Sequence, residues 1–163
     1  MVPNPLLAQL VLKPVSPKTA PLARSLILEG LQERVGTLIS GMNPDLDDIL
    51  KFYSGSDHHF LIGYFRDSPE KLICTGALVG ETNFNARIVR VSVQKRYRRN
   101  KIARAMVKAL EAHAKNNHFR EILLETTDDW DSAIQFYLSL GYQIYAHSDG
   151  NCHMKKRIDA EYN

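Results

Sequence analysis

Val-Gln-Lys-Arg-Tyr-Arg-Arg-Asn-Lys-Ile-Ala, residues 93–103, joins a predicted strand to the most clearly amphipathic helix of the sequence. The strand, 86–93, is rich in valine, and the helix, 102–115, repeats apolar residues on one side. A second apolar strand is predicted over 121–126. Because a strand–helix–strand crossover joins parallel strands, this region predicts a parallel pair within the sheet.

The elements on both sides of this crossover predict the rest of the fold. A strand over 9–15 and two helices, which begin near Thr19 and Asn43, come first. Two strands around the turn Asp67-Ser68-Pro69 follow, and a short helix and a hairpin end the chain. The order β-α-α-β-β-β-α-β-α-β-β predicts a mixed α/β sheet, mostly antiparallel with one parallel pair and with helices on both faces.

Two local patterns give expectations about side-chain direction. Alternation along the valine-rich strand predicts that Val89, Val91 and Val93 share one face of the sheet. Asp45, Asp47 and Asp48 follow the second cap, so they are interpreted as helix-start charges that favour the positive end of the helix dipole.

Composition restricts the class of protein. The 163 residues are 44% hydrophobic and 24% charged, as expected for one globular domain spanning 1–163. The net charge of +3 is too small to imply a nucleic-acid partner. The two cysteines, Cys74 and Cys152, predict buried thiols in a reducing, cytoplasmic setting, and no stretch predicts a membrane span. Cys152-His153 is not spaced as a zinc motif, so no metal site is expected.

The loop before the amphipathic helix concentrates positive charge. Six cations lie within residues 95–104, where the free amides of a helix N-terminus bind phosphate. A small anion with several phosphates fits this arrangement, whereas a solvated basic turn would explain the charge alone. A nucleic-acid-binding surface is a third interpretation, but aromatic residues are not interleaved with the cations as base stacking requires.

Two segments resemble one enzyme family. Arg98 to Ala103 resembles the pyrophosphate loop of GNAT-type acetyltransferases, Gln/Arg-x-x-Gly-x-Gly/Ala, with Lys101 in place of the central glycine. If the Lys101 backbone has ordinary helical angles, its amide can still donate to the pyrophosphate. If the position has a positive φ, pyrophosphate binding would be weaker. Ala133 to Tyr142 is similar to the family segment Ala-x-x-x-Tyr-x-x-x-Gly-Phe, although Trp130 occupies a position where the family often has asparagine.

The resemblance implies an acyl-CoA-dependent N-acetyltransferase with the GNAT fold. Acetyl-CoA would be the co-substrate and the acceptor a primary amine of a small molecule or peptide, which attacks directly in a ternary complex without a metal. Tyr137 would protonate the leaving thiolate; without the resemblance it would be interpreted as a core aromatic residue. The implied coenzyme-binding residues are Val91, Ser92, Val93, Arg98, Arg99, Asn100, Lys101, Ile102, Ala103 and Tyr137.

The general base and the acceptor are left open by the sequence. Glu81 and Glu125 are the candidates for the base because they lie at or near central strands, and a positioned water is the alternative. A catalytically silent domain that binds coenzyme A as a sensor is the other function to be distinguished. A nucleic-acid or membrane partner is not expected, and a homodimer stays open.

Overall fold

The computed structural model describes residues 4–38 and 41–158, which form one seven-stranded sheet in the order β1-β2-β3-β4-β5-β7-β6. The strands are β1 (Leu10–Pro14), β2 (His58–Phe65), β3 (Leu72–Gly80), β4 (Asn85–Val93), β5 (Glu121–Thr127), β6 (Gln143–Ser148) and β7 (Asn151–Arg157). The helices are α1 (Pro5–Gln9), α2 (Ala20–Val35), α3 (Ile49–Phe52), α4 (Ile102–Asn116) and α5 (Asp131–Ser139). None of these helices has the length and apolar character needed to cross a bilayer.

The predicted element order and the parallel pair are confirmed, with α1 as an addition that the sequence did not indicate. β4 and β5 are the parallel pair, and they are joined only from Asn85 opposite Glu121 to Arg87 opposite Leu123. All other neighbouring strands are antiparallel. Because pairing ends after three residues, β4 and β5 separate toward their carboxyl ends and leave a gap in the sheet.

A bulge in β4 lies at this gap. Thr75 of β3 is opposite Ser92, but Ala77 is opposite Val89, so β4 carries one extra residue at this point. Arg90 has a φ of 57°, which places a non-glycine residue in the left-handed region. The Thr75 hydroxyl donates a 2.7 Å hydrogen bond to the Arg90 carbonyl and holds the bulge in place.

The bulge makes the prediction of a common valine face wrong. Val89 packs with the apolar cluster beneath α2, whereas Val91 and Val93 pack with the cluster beneath α4, on the opposite face of the sheet. The physical reason is that an extra residue interrupts the two-residue alternation of a strand. The valines beyond the bulge therefore face the N-terminal end of α4.

Each face of the sheet carries its own apolar core. α2 and α3 cover one face, and α4 and α5 cover the other. α4 approaches β3 closely at Gly76, where an added Cβ would lie only 2.6 Å from the Met106 Cγ. This close contact requires glycine and brings the start of α4 near the end of β4.

The second predicted helix begins differently from expectation. Residues Pro44–Asp48 form a 3-10 turn that leads into α3, and Asp48 caps α3 by accepting from the Lys51 amide. Asp45, however, is 7% exposed, and its carboxylate binds Arg90 at 2.6 Å. Asp45 does lie in the first turn of this short helix, as predicted, but it also has a role that the sequence did not indicate, because an arginine 45 residues away in β4 holds it in the interior.

The backbone of Lys101 adopts the positive-φ conformation. It precedes α4 with a φ of 64° and a ψ of 19°, so it holds the left-handed conformation that glycine would adopt freely. The alternative of ordinary helical angles at Lys101 is therefore wrong, and the loop holds its geometry through a strained residue.

We expect Lys101→Gly to be more stable than Lys101→Ala by about 0.5–1 kcal/mol. Glycine removes a left-handed strain of about 1–2 kcal/mol, but it also loses more backbone entropy on folding, which offsets part of the gain. Urea unfolding of the two variants measures the difference. At the exposed helical position Lys108 the order should reverse, with alanine more stable by about 1 kcal/mol. The same order at both positions would contradict strain at Lys101.

A pair of histidines joins β2 to α4. The rings of His59 and His113 are stacked 3.6 Å apart with an angle of 5° between their planes. Burial lowers the pKa of both imidazoles, and the neighbouring His113 lowers the pKa of His59 further. The folded state therefore binds fewer protons than the unfolded state at mildly acidic pH.

Because of this pair we expect the free energy of unfolding to fall as the pH drops below about 6.5, the ordinary pKa of histidine. The fall ends when the pH reaches the lowered pKa values that the two histidines have in the folded state. His113→Phe keeps a ring on His59 and should lower the proton uptake on unfolding, by up to about one proton. The measurement is the free energy of unfolding between pH 7 and pH 5. His118→Asn, outside the stacked pair, is the control, and an equal loss of slope in that variant would refute the assignment.

Candidate active site

A cavity of about 660 Å³ opens between the end of β4, the start of α4 and α5. Most of the residues that the sequence predicted as a coenzyme site form its wall. The predicted residues in the wall are Val91, Ser92, Val93, Arg98, Arg99, Lys101, Ile102, Ala103 and Tyr137. The structure therefore brings together the two segments that carry the family resemblance, although they are 30 positions apart in the chain.

The cavity is strongly cationic at one end. Arg98, Arg99, Lys101 and Arg104 all line it, and no carboxylate belongs to its wall within the described part of the chain. The N-terminus of α4 opens here, and the Lys101 side chain makes no capping hydrogen bond to its first turn. Uncapped amides and the positive end of the helix dipole bind anions, so this end of the cavity suits a phosphate group.

Asn100 is the predicted coenzyme residue that does not line the cavity. Its side-chain amide donates to the carbonyls of Tyr97 and Arg98, both at 3.1 Å. Its own carbonyl accepts from the Asn4 amide at 3.0 Å, which fastens the N-terminal segment to the loop. Asn100 thus shapes the loop from behind.

Tyr137 lies where the cavity meets the gap in the sheet. Its ring contacts Phe136 and Tyr142 edge to face at 4.9 and 5.7 Å. Burial raises the pKa of the phenol above its usual range, so the hydroxyl is protonated at neutral pH. Among the described residues no hydrogen-bond partner is found for this hydroxyl, which leaves it available to a bound molecule.

Two smaller cavities lie on the other side of the gap, beneath α2 and α3. One, of about 180 Å³, shares Val91, Ser92 and Tyr137 with the large cavity. The other, of about 450 Å³, has Phe52 and Arg87 in its wall. Because three residues line cavities on both sides, the gap between β4 and β5 is the point where two molecules could meet.

Glu125 faces these smaller cavities and is absent from the large one. Its side chain is 47% exposed, and one of its oxygens lies 3.5 Å from the His153 Nδ1. Glu81 differs, since both of its oxygens accept from Arg87, at 2.8 and 3.1 Å, and it lines none of the cavities described above. Of the two candidate bases, only Glu125 is placed at the gap.

Asp45, Arg90 and Tyr53 form a buried network beside the smaller cavities. Arg90 donates to both Asp45 oxygens at 2.9 and 2.6 Å, and the Tyr53 hydroxyl donates to the same carboxylate at 2.6 Å. Burial by itself would raise the pKa of Asp45, but the hydrogen bonds from Arg90 and Tyr53 outweigh it and lower that pKa. The carboxylate is therefore ionised and already neutralised, whereas Glu125, which lines the same cavity, accepts no hydrogen bond from an arginine or tyrosine among the described residues.

The end of α2 bridges both sides of the gap, a feature that the sequence pattern did not indicate. Glu33 binds Arg98 of the cationic loop at 2.7 Å. Arg34 donates hydrogen bonds to the Thr127 hydroxyl at the end of β5, at 2.8 Å, and to the Asp129 carboxylate in the turn after β5, at 2.7 Å. No local signal identifies these contacts, because each joins residues more than 60 positions apart.

Comparison with known proteins agrees with this geometry. The family model described as Acetyltransferase (GNAT) family matches residues 31–142. A protein from Xenopus tropicalis, named probable N-acetyltransferase 14, is 27% identical over 107 residues, which is 66% of this chain. The match covers 52% of that relative, so the chain spans about half of the relative's length.

Solved structures with similar folds are acetyltransferases. One from Staphylococcus aureus, described as of the GNAT family, has a TM-score of 0.80 with 19% identity and covers 91% of this chain and 99% of its own. The PaiA N-acetyltransferase of Thermoplasma acidophilum, solved with coenzyme A, has a TM-score of 0.77 with 17% identity, covering 91% and 98%. The ribosomal-protein-S18-alanine N-acetyltransferase of Escherichia coli has a TM-score of 0.71 with 15% identity, covering 94% and 96%.

These structural likenesses show the fold, and the family model covers more than half of the chain and includes both cavity segments. The mixed sheet with its single parallel pair is the acyl-CoA N-acyltransferase fold expected from the sequence. The chain belongs to the GNAT family of acetyltransferases.

Proposed function

We propose that this protein transfers the acetyl group of acetyl-CoA to a primary amine of a small molecule or peptide, by direct attack in a ternary complex. The observation that carries the proposal is the placement of Tyr137 at the gap between β4 and β5, between the cationic cavity and the smaller cavities that contain Glu125. Coenzyme and amine would approach the gap from opposite faces of the sheet.

The cationic end of the cavity accounts for the coenzyme diphosphate. Arg98, Arg99 and Lys101 would supply charge, and the uncapped start of α4 would supply amide donors. Beyond Arg87 the edge of β4 has no β5 partner within the described chain, so backbone groups at Val91 and Val93 could pair with the amides of pantetheine. Coenzyme A in the Thermoplasma acidophilum neighbour supports this choice of ligand.

The reaction requires a proton to leave the amine and another to reach the sulfur. An alkylammonium has a pKa near ~10.4, so a base must take its proton before the nitrogen attacks the acetyl carbonyl. Glu125 faces the amine side and takes this role, directly or through a water. As the new C–N bond forms, a backbone amide of β4 near the bulge stabilises the carbonyl oxygen. The C–S bond then breaks, and the protonated Tyr137 hydroxyl gives its proton to the thiolate.

We expect Tyr137→Phe to lower kcat by about a hundredfold or more while coenzyme affinity changes little, because the acid acts only as the C–S bond breaks. Free thiol release with acetyl-CoA and a panel of primary amines gives kcat, and calorimetry gives the Kd for coenzyme A. Tyr97→Phe is the matched control, since Tyr97 also lines the cavity and loses the same hydroxyl. Equal turnover in Tyr137→Phe and the parent would remove the acid role.

The same measurements distinguish the other functions. A coenzyme sensor would bind coenzyme A tightly and release no thiol with any amine in the panel. A nucleic-acid-binding domain would bind an oligonucleotide with an affinity that falls steeply with salt, and would show no preference for coenzyme A over other polyphosphates. Absence of coenzyme A binding in the parent protein would overturn the proposed function itself.

The ion pair between Glu33 and Arg98 competes with the proposed phosphate contact. We expect Glu33→Gln to tighten coenzyme A binding by up to about fivefold, because Arg98 is then free to turn toward the ligand. Glu29→Gln is the control, since it removes an exposed charge one turn earlier on α2 that forms no ion pair within the described residues. Calorimetry at constant ionic strength measures both. Equal effects of the two variants would show that only the net charge matters.

A further inference from the structure

We propose that Asp128, His147 and Cys152 form a binding site for a divalent transition-metal ion, with Zn²⁺ as the ion that fits best. One ligand atom from each residue lies within 4.8 Å of the other two. The His147 Nδ1 and an Asp128 oxygen form a 2.7 Å hydrogen bond, which a bound metal ion would replace. This cluster lies outside the cavities described above, and the inference does not depend on the proposed function.

Strand register brings the three residues together. His147 of β6 is directly opposite Cys152 of β7, so their side chains leave the same face of the sheet. Cys152 is in turn opposite Thr126 of β5, and Asp128 follows two residues later. The Asp128 amide donates to the Gly150 carbonyl at 2.9 Å, which fixes the turn after β5 against the β6–β7 hairpin. The site is therefore positioned by backbone hydrogen bonds.

The donor set is one that zinc uses. Thiolate, imidazole nitrogen and carboxylate oxygen bind Zn²⁺ at about 2.0–2.3 Å, which places tetrahedral ligand atoms about 3.3–3.8 Å from one another. The side chains of His147 and Asp128 are 60% and 43% exposed, so small rotations can bring them to these distances. Three protein ligands leave a fourth position for water.

One feature of the surroundings agrees with a metal-bound thiolate. The Thr126 hydroxyl is buried without a hydrogen-bond partner in the described structure, and the register places it opposite Cys152. A thiolate held at Cys152 would give this hydroxyl an acceptor.

Metal bound here would join three parts of the chain: the turn after β5, β6 and β7. The next two residues after Asp128 reach the proposed active site. Asp129 accepts a hydrogen bond from Arg34 of α2. Trp130 lines the large cavity, and the Arg34 guanidinium lies over the Trp130 ring, 4.8 Å from the ring centre. Metal binding would therefore stabilise one wall of the cavity without taking part in the reaction.

The test uses the full chain after dialysis against a chelator, titrated with Co²⁺ and then Zn²⁺. We expect one Co²⁺ per chain, a near-ultraviolet thiolate-to-cobalt charge-transfer band, displacement of that band by Zn²⁺, and a rise in Tm on adding Zn²⁺. Cys152→Ser should abolish the band. His147→Gln and Asp128→Asn, at exposed positions, should weaken Zn²⁺ binding by about tenfold or more.

Two variants control for unspecific binding. Cys74→Ser removes the other free thiol, and His153→Gln removes the histidine adjacent to Cys152 in sequence; both should keep the band and the affinity. The proposal is overturned if the parent shows no charge-transfer band, or if His147→Gln and Asp128→Asn bind Zn²⁺ as tightly as the parent. A band that persists in Cys152→Ser but not in Cys74→Ser would place the thiolate ligand elsewhere.

Discussion

The hydrogen bond from the Thr75 hydroxyl to the Arg90 carbonyl, 2.7 Å long, holds the β4 bulge on which the rest of the active-site region depends. Arg90 is left-handed there, a conformation that costs a non-glycine residue about 1–2 kcal/mol. The buried ion pair with Asp45 and the fully buried Thr75 keep this strained residue in place. The bulge in turn directs Val91 and Val93 to the α4 face and leads β4 away from β5.

The gap that results divides the region into two chemically different sides. The α4 side carries four cations and a helix N-terminus, which suits a phosphorylated ligand. On the α2 side the buried Asp45 charge is neutralised by Arg90, and Glu125 is the carboxylate that remains exposed to the cavities. Tyr137, protonated, lies between the two sides. The carboxylate proposed as proton acceptor and the phenol proposed as proton donor thus both line the small cavity at the gap.

Ion pairs at the end of α2 connect these sides. Glu33 contacts the cationic loop through Arg98, and Arg34 contacts the turn after β5 through Asp129. The same turn contains Asp128, which the proposed metal site would fix against the β6–β7 hairpin. The surface around the gap is therefore held by exposed charges that are each weak alone but that link α2, the loop before α4 and the turn before α5.

The order of elements, the crossover over 86–126 and the cationic loop could be predicted from the sequence, whereas Tyr137 was singled out only by its resemblance to a family segment. They depend on periodicity, capping residues and short motifs, which are local properties of the chain. The common face of the three β4 valines was predicted wrongly, because a bulge is decided by pairing with β3 and by a buried arginine. Strand register and helix packing determine three sets of contacts: Asp45 with Arg90, Glu33 with Arg98, and Cys152 with His147 and Asp128. Such contacts arise only when distant segments fold together, so only the tertiary structure decided them.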